Sequence, residues 1–186
     1  MAMTGFSYRL TWNDFVGRVP TNADAGTAAF VSTRLSAEAP WTYAERDGVR
    51  AYKINSVACA VSLTRSGMWA RPGARTRTDA ILLHEQGHFD ISALIVREVD
   101  QALTALLSQT FSTEADVMAA IDDARNSPFS TNNDLQSQPS GDGTYDTSTN
   151  HGLGSNQAAW TRAFAACRAA PTGRLVASLT AQGISI

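Results

Sequence analysis

The chain has 186 residues, of which 44% are hydrophobic and 17% charged, enough for one folded domain with a real core and unlike a disordered chain. A net charge of −2 argues against nucleic acid or an anionic membrane surface as partner. No uninterrupted apolar run is long enough to span a bilayer, and Met1 to Leu10 lacks the charged start and apolar core of a signal peptide. That fits a cytoplasmic protein or an exported one whose leader has been removed.

The first third reads as strands. Phe6 to Trp12 alternates, with Tyr8, Leu10 and Trp12 on one side, and Gly17 and Pro20 to Gly26 then mark a loop. Phe30 to Leu35 and Val49 to Leu63 are further strand candidates. Val57, Cys59, Val61 and Leu63 carry the period-two pattern of a half-buried strand. Ser66-Gly67 and Arg71-Pro72-Gly73 are turns or loop.

From Thr78 the pattern becomes helical. Thr78 or Asp79 can cap a helix that runs to about Leu107 with no proline and one interior glycine, Gly87. Ile81, His84, His88, Ile91, Ile95, Val99 and Ala102 fall on one stripe, so the histidines lie on the inward face. The missing side chain at Gly87 can admit another backbone close to that face. A second helix is expected from Ser112 or Thr113 to about Arg125, behind a capped, acidic start. Asn126 to Asn150 reads as a long polar loop. A third helix starts near Ser155, and Leu175 to Leu179 fits either a short strand or a helical turn. Cys59 and Cys167 can form one bridge, closing a loop of about 108 residues, or stand as two buried free thiols.

The motif that carries chemistry is His84-Glu85-Gln86-Gly87-His88, an H-E-x-x-H inside the predicted helix. Residues four apart share a helix face, so His84 and His88 can grip one ion together. Glu85 projects beside them, where it can take a proton from an activated water. Zinc lowers the pKa of its bound water to about 7 and polarises a scissile carbonyl, so the pattern is that of a zinc hydrolase of the metalloprotease type. Catalytic zinc usually has three protein ligands and one open position. The third histidine of the chain, His151, is the first choice for the remaining ligand. Ile91 and Leu94 occupy the places where the longer metzincin motif needs Gly and His. Glu98 lies about 15 Å along the helix from His88, too far to share an ion. Glu114 and Asp146 are the carboxylate alternatives, and Asp146 can instead accept from the free ring N–H of a ligand histidine. Asp90 can do the same or serve as a salt-bridged helix residue. Tyr145 can donate to an oxyanion or simply pack the loop.

Four segments carry a family resemblance. They are Trp12-x-Asp14-Phe15-x-Gly17, His84-Glu85-Gln86-Gly87-His88-Phe89-Asp90, Tyr145-Asp146-x-x-Thr149-x-His151-Gly152 and Gln157-x-x-Trp160. With them the chain resembles an uncharacterised group of bacterial proteins described as secreted zinc-dependent proteases. The resemblance implies a zincin-like α+β domain, strengthens His151 as a ligand, and implies export to the periplasm or beyond.

The expectation is therefore one α+β, zincin-like domain over 1–186, with a small, mostly antiparallel sheet packed on the H-E-x-x-H helix. The third helix and its loop would close the cleft, and the loop at 126–150 would form one wall. The expected activity is zinc-dependent peptide-bond hydrolysis by a monomer acting on protein or peptide. His84, His88 and His151 would hold Zn2+, and Glu85 would serve as base, with Tyr145 as a candidate transition-state donor. A peptidoglycan-directed amide hydrolase and a non-catalytic zinc-stabilised binding module are the alternatives.

Overall fold

The computed structural model of the chain describes residues 6–73, 75–138, 141–149, 154 and 156–186. A short 3-10 turn at Trp12–Asp14 precedes strands β1 (Ala29–Phe30), β2 (Thr33–Glu38), β3 (Trp41–Arg46), β4 (Val49–Ile54) and β5 (Ala58–Leu63). Strand β6 (Trp69–Ala70) leads into the long helices α1 (Asp79–Leu106) and α2 (Glu114–Gln136). Strands β7 (Ser137–Gln138) and β8 (Gly141–Asp142) follow, and then helices α3 (Thr144–Thr149), α4 (Gln157–Ala169) and α5 (Leu175–Ala181). The class is α+β, as the sequence suggests. The strands pair antiparallel as the two-stranded ladders β1–β6, β2–β5, β3–β4 and β7–β8. Among the described residues no helix is long and apolar enough to cross a membrane.

Helix α1 is the axis of the molecule. Thr78 caps it, its hydroxyl oxygen accepting from the Ile81 N–H at 3.3 Å. Its middle is buried nearly all round. Phe89, Ala93, Val96 and Val99 enter a core shared with Val61 and Met68, which β2, β5 and the N-terminal segment cover. Ile91, Leu94 and Ile95 enter a second core, built on Trp160 of α4 and on Leu175 and Leu179 of α5. Cys59 and Cys167 lie in different cores and are free thiols, so the bridge considered from sequence does not form. The β3–β4 hairpin closes on Asp47-Gly48, whose φ angles of 55° and 75° are the left-handed values that a two-residue hairpin turn requires.

Several sequence expectations need correction. Phe6 to Trp12 is not a strand. Its backbone is satisfied by a side chain of α1: Gln86 accepts from the Leu10 N–H at 2.8 Å and donates to the Tyr8 carbonyl at 3.2 Å. The segment then turns at Asp14, which accepts from Thr11 N–H and Tyr8 Oη and pairs with Arg65 at 2.6 Å. Gly17 presses so close to the Met68 carbonyl that an added Cβ would sit 2.6 Å from its oxygen. The Trp12 to Gly17 motif is thus a structural clamp.

The polar stretch from Asn126 is not a loop either. Helix α2 continues through Pro128 to Gln136, although Pro128 leaves one helical hydrogen bond unmade. Tertiary contacts override the poor helix propensity of this stretch: Leu135 is fully buried, Phe129 packs on the core, and Gln136 donates to Ser92 of α1 at 2.8 Å. Helix α4 lies behind α1 rather than over the cleft. Leu135→Ala should therefore cost about 2–5 kcal/mol in urea unfolding. A loss below about 0.5 kcal/mol, typical of an exposed site, would refute the buried continuation of α2.

Candidate metal centre

His84 and His88 project from one face of α1 toward α3, and Asp146 of α3 meets both. Asp146 Oδ1 lies 3.0 Å from His84 Nε2 and 3.0 Å from His88 Nε2. The ligand atoms of His84, His88 and Asp146 all lie within 4.8 Å of one another, so the group can hold a metal ion. A tetrahedral zinc with bonds near 2.05 Å separates its ligand atoms by about 3.3 Å, close to the two 3.0 Å distances from Asp146 Oδ1 to the histidines. Two imidazoles and one carboxylate also form a donor set suited to zinc. The donors fit the ion in number, type and spacing.

The third ligand expected from sequence, His151, lies outside the described residues. Asp146, the alternative, is the residue that α3 brings to the pair. Glu114 opens α2 as an exposed residue and is not part of the group. Glu98 is occupied elsewhere, accepting from the Leu175 N–H at 2.6 Å at the start of α5.

Helix α3 is seated by Tyr145. Its ring stacks on His84 with centroids 4.8 Å apart and an interplanar angle of 7°, and meets His88 edge-on at 4.8 Å. The hydroxyl donates to the His84 carbonyl at 3.0 Å and accepts from the Gln157 amide at 2.9 Å. Trp160 packs against the Tyr145 ring and donates from its indole to Ser148 Oγ at 2.9 Å. Gln157 and Trp160, the last of the sequence motifs, thus form a dock for α3. The sequence offers Tyr145 as a candidate transition-state donor, and in the structure its hydroxyl already has partners on α1 and α4. The residue is fully buried, its hydroxyl is engaged on α1 and α4, and burial pushes its pKa far up, holding it neutral. Tyr145 positions the histidines rather than facing a substrate. Gly87 makes room for it, since a Cβ there would lie 1.9 Å from the Tyr145 hydroxyl oxygen. A side chain, not a backbone, is what the glycine admits.

Glu85 is 5% exposed and lines the same cleft as His84, His88 and Asp146. Its Oε2 accepts from the Val31 N–H at 2.8 Å, which ties it to the strand segment opposite. Burial raises its pKa, and the neighbouring histidine charges and the Val31 N–H oppose that only in part. Asp90 points to the other side of α1, where it pairs with Arg168 and accepts from Gln86 at 2.9 Å. It is a structural ion pair, not a partner of the histidines. Sequence reasoning gave no role to Thr149, whose hydroxyl lies 3.2 Å from His84 Nδ1, or to Gln136, which lines the same cleft and helps raise the His88 pKa. Their signals were weak: Thr149 stands four residues after Tyr145 in a segment with no strong helical pattern, and Gln136 sits in the stretch read as loop.

Comparison with protein-family models, curated proteins and solved structures finds no match to this chain.

Burial opposes charge on His88, but the Asp146 carboxylate outweighs it and raises the pKa above 6.5, with help from Glu85 and Gln136. Burial also pushes the Asp146 carboxyl up, yet the hydrogen bonds from His84 and His88 hold it well below the usual carboxylate range. In metal-free protein the His88 contribution to stability is complete below pH 6.5 and fades as pH rises through the raised folded value. The Asp146 contribution is present above pH 3.8 and fades as pH falls through the depressed value. The metal-free melting temperature should then decline from pH 6.5 upward, and His88→Gln should flatten that decline. An unchanged slope in the variant would refute the pairing. Gly87→Ala provides a second check. On an exposed helix this change gains about 1 kcal/mol; here it should lower the melting temperature by displacing Tyr145, and a stabilised variant would contradict the close contact.

Proposed function

We propose that this protein is a zinc-dependent hydrolase of peptide bonds, with His84, His88 and Asp146 as ligands and Glu85 as general base. The observation that supports it most is the convergence of the two Nε2 atoms and the Asp146 oxygen in a cleft that the buried Glu85 also lines. The zincin-like character expected from sequence belongs to the same proposal. The cleft holds about 590 Å3 and has the extended segment Gly26–Thr33 along one wall and the amides of Asn132 and Asn133 on the other. Extended backbone facing amide side chains suits a peptide laid lengthwise.

A bound zinc would supply Lewis-acid polarisation of the scissile carbonyl and bring water into reach of a base near neutral pH. Glu85 takes the proton of the attacking water and passes it to the leaving amine. Its raised pKa makes it a stronger base than an exposed carboxylate and a competent acid in the second step. The Val31 N–H holds one carboxylate oxygen, which fixes the orientation of the other. Asp146, held ionised, contributes the negative charge of the ligand set.

Glu85→Gln keeps shape and hydrogen bonding but removes the base. It should retain zinc and lose at least about 100-fold in rate on casein or a peptide library. Full activity in that variant would contradict the assignment, and an ion whose role is structural alone would leave both proteins inactive. His151→Ala in the same assay decides that residue: retained zinc leaves Asp146 as the third ligand, and lost zinc adds His151 to the set.

A further inference from the structure

We propose that Thr149 is a positioning residue that holds His84 in its Nδ1–H tautomer, so that the Nε2 lone pair faces the metal position. The inference rests on the ligand set proposed above and on a count of hydrogens. The Thr149 hydroxyl carries one hydrogen. It donates that hydrogen to the Tyr145 carbonyl at 2.7 Å, since a carbonyl can only accept. Toward His84 Nδ1, at 3.2 Å, the same oxygen must therefore act as acceptor, and Nδ1 must carry the proton. A neutral imidazole has one N–H, so in that form the proton sits on Nδ1 and the Nε2 lone pair is available to an ion placed between it and Asp146 Oδ1; in the protonated form Nε2–H donates to that oxygen, 3.0 Å away. Thr149 is completely buried, so water does not compete for the hydroxyl.

The arrangement is economical in chain terms. Tyr145, Asp146 and Thr149 lie on one short helix. The i, i+4 relation of Tyr145 and Thr149 produces the carbonyl bond that commits the Thr149 hydrogen. One seated helix thus delivers the ring that stacks on His84, the carboxylate that faces it and the acceptor that sets its tautomer. With the His84 ring held this way, its Nε2 lone pair and the Asp146 oxygen together form an environment that favours a cation.

The test uses Thr149→Val, which keeps the shape and removes the acceptor, and Thr149→Ser, which restores it. Zinc affinity is measured by chelator competition. The His84 tautomer is read by 15N NMR of metal-free protein at about pH 9, where imidazole is neutral. Wild type and Thr149→Ser should show His84 as the Nδ1–H form and bind zinc within about threefold of each other, while Thr149→Val should lose the single tautomer and about 10–100-fold in affinity. A wild-type His84 protonated at Nε2, or a Thr149→Val that keeps the Nδ1–H signature, would overturn the inference. If wild type fails to bind zinc, the ligand set fails, while the NMR signature still decides the role of Thr149.

Discussion

A methyl group at position 87 would lie 1.9 Å from the Tyr145 hydroxyl oxygen, and the chemistry of the molecule depends on that close approach. Because residue 87 is glycine, the Tyr145 ring can press against α1 in the gap between His84 and His88 and bond to the His84 carbonyl. Helix α3 is only a few residues long and would be marginal alone. Its place comes from Tyr145 being held by α1 on one side and by Gln157 and Trp160 on the other. Once Tyr145 is seated, the next residue can lie only over the histidine pair. That residue is Asp146.

The same helix carries an unusual load of buried polar groups for a core element. His84, Glu85, Gln86 and Asp90 are all buried. Burying such groups is costly unless each finds partners, and each does. Toward the cleft, His84 faces Asp146 and Thr149, and Glu85 is tied to the Val31 N–H. Toward the other side, Gln86 bonds the N-terminal segment and Asp90, and Asp90 pairs with Arg168. Every letter of His84-Glu85-Gln86-Gly87-His88-Phe89-Asp90 has a task. Some residues face the cleft, Gly87 admits Tyr145, Phe89 fills the core, and Gln86 and Asp90 join α1 to its neighbours. The helix serves as scaffold and as the proposed source of two ligands and the base.

Helix α1 was legible in the sequence because its period, its Thr78 cap and its motif all point the same way. The grouping of His84, His88 and Glu85 follows from the motif. The arrival of Asp146 does not, since it depends on a contact between residues 87 and 145 that no local pattern encodes. The second half of α2 was illegible for a related reason. Ser, Thr, Asn and Pro128 argue for a loop, and the contacts that win are distant in sequence: Leu135 in the second core and Gln136 on Ser92. The N-terminal segment shows the converse error. Its alternation of apolar residues does not carry through to burial, since Leu10 is buried and Tyr8 is exposed, and its backbone partner is the Gln86 side chain rather than a strand. The β3–β4 hairpin is missed by the sequence reading, which marks Val49 to Leu63 but not strand β3, although Asp47-Gly48 is a strong hairpin-turn signal.

The central claim is that Asp146 completes a metal centre with His84 and His88. Elemental analysis of wild type, His84→Ala and Asp146→Ala, purified without added zinc and then offered it, tests this most directly. The expected result is one zinc per wild-type chain and its loss from both variants, with each variant still folded by circular dichroism. A folded Asp146→Ala that holds a full equivalent of zinc would contradict the claim and return the third position to another residue.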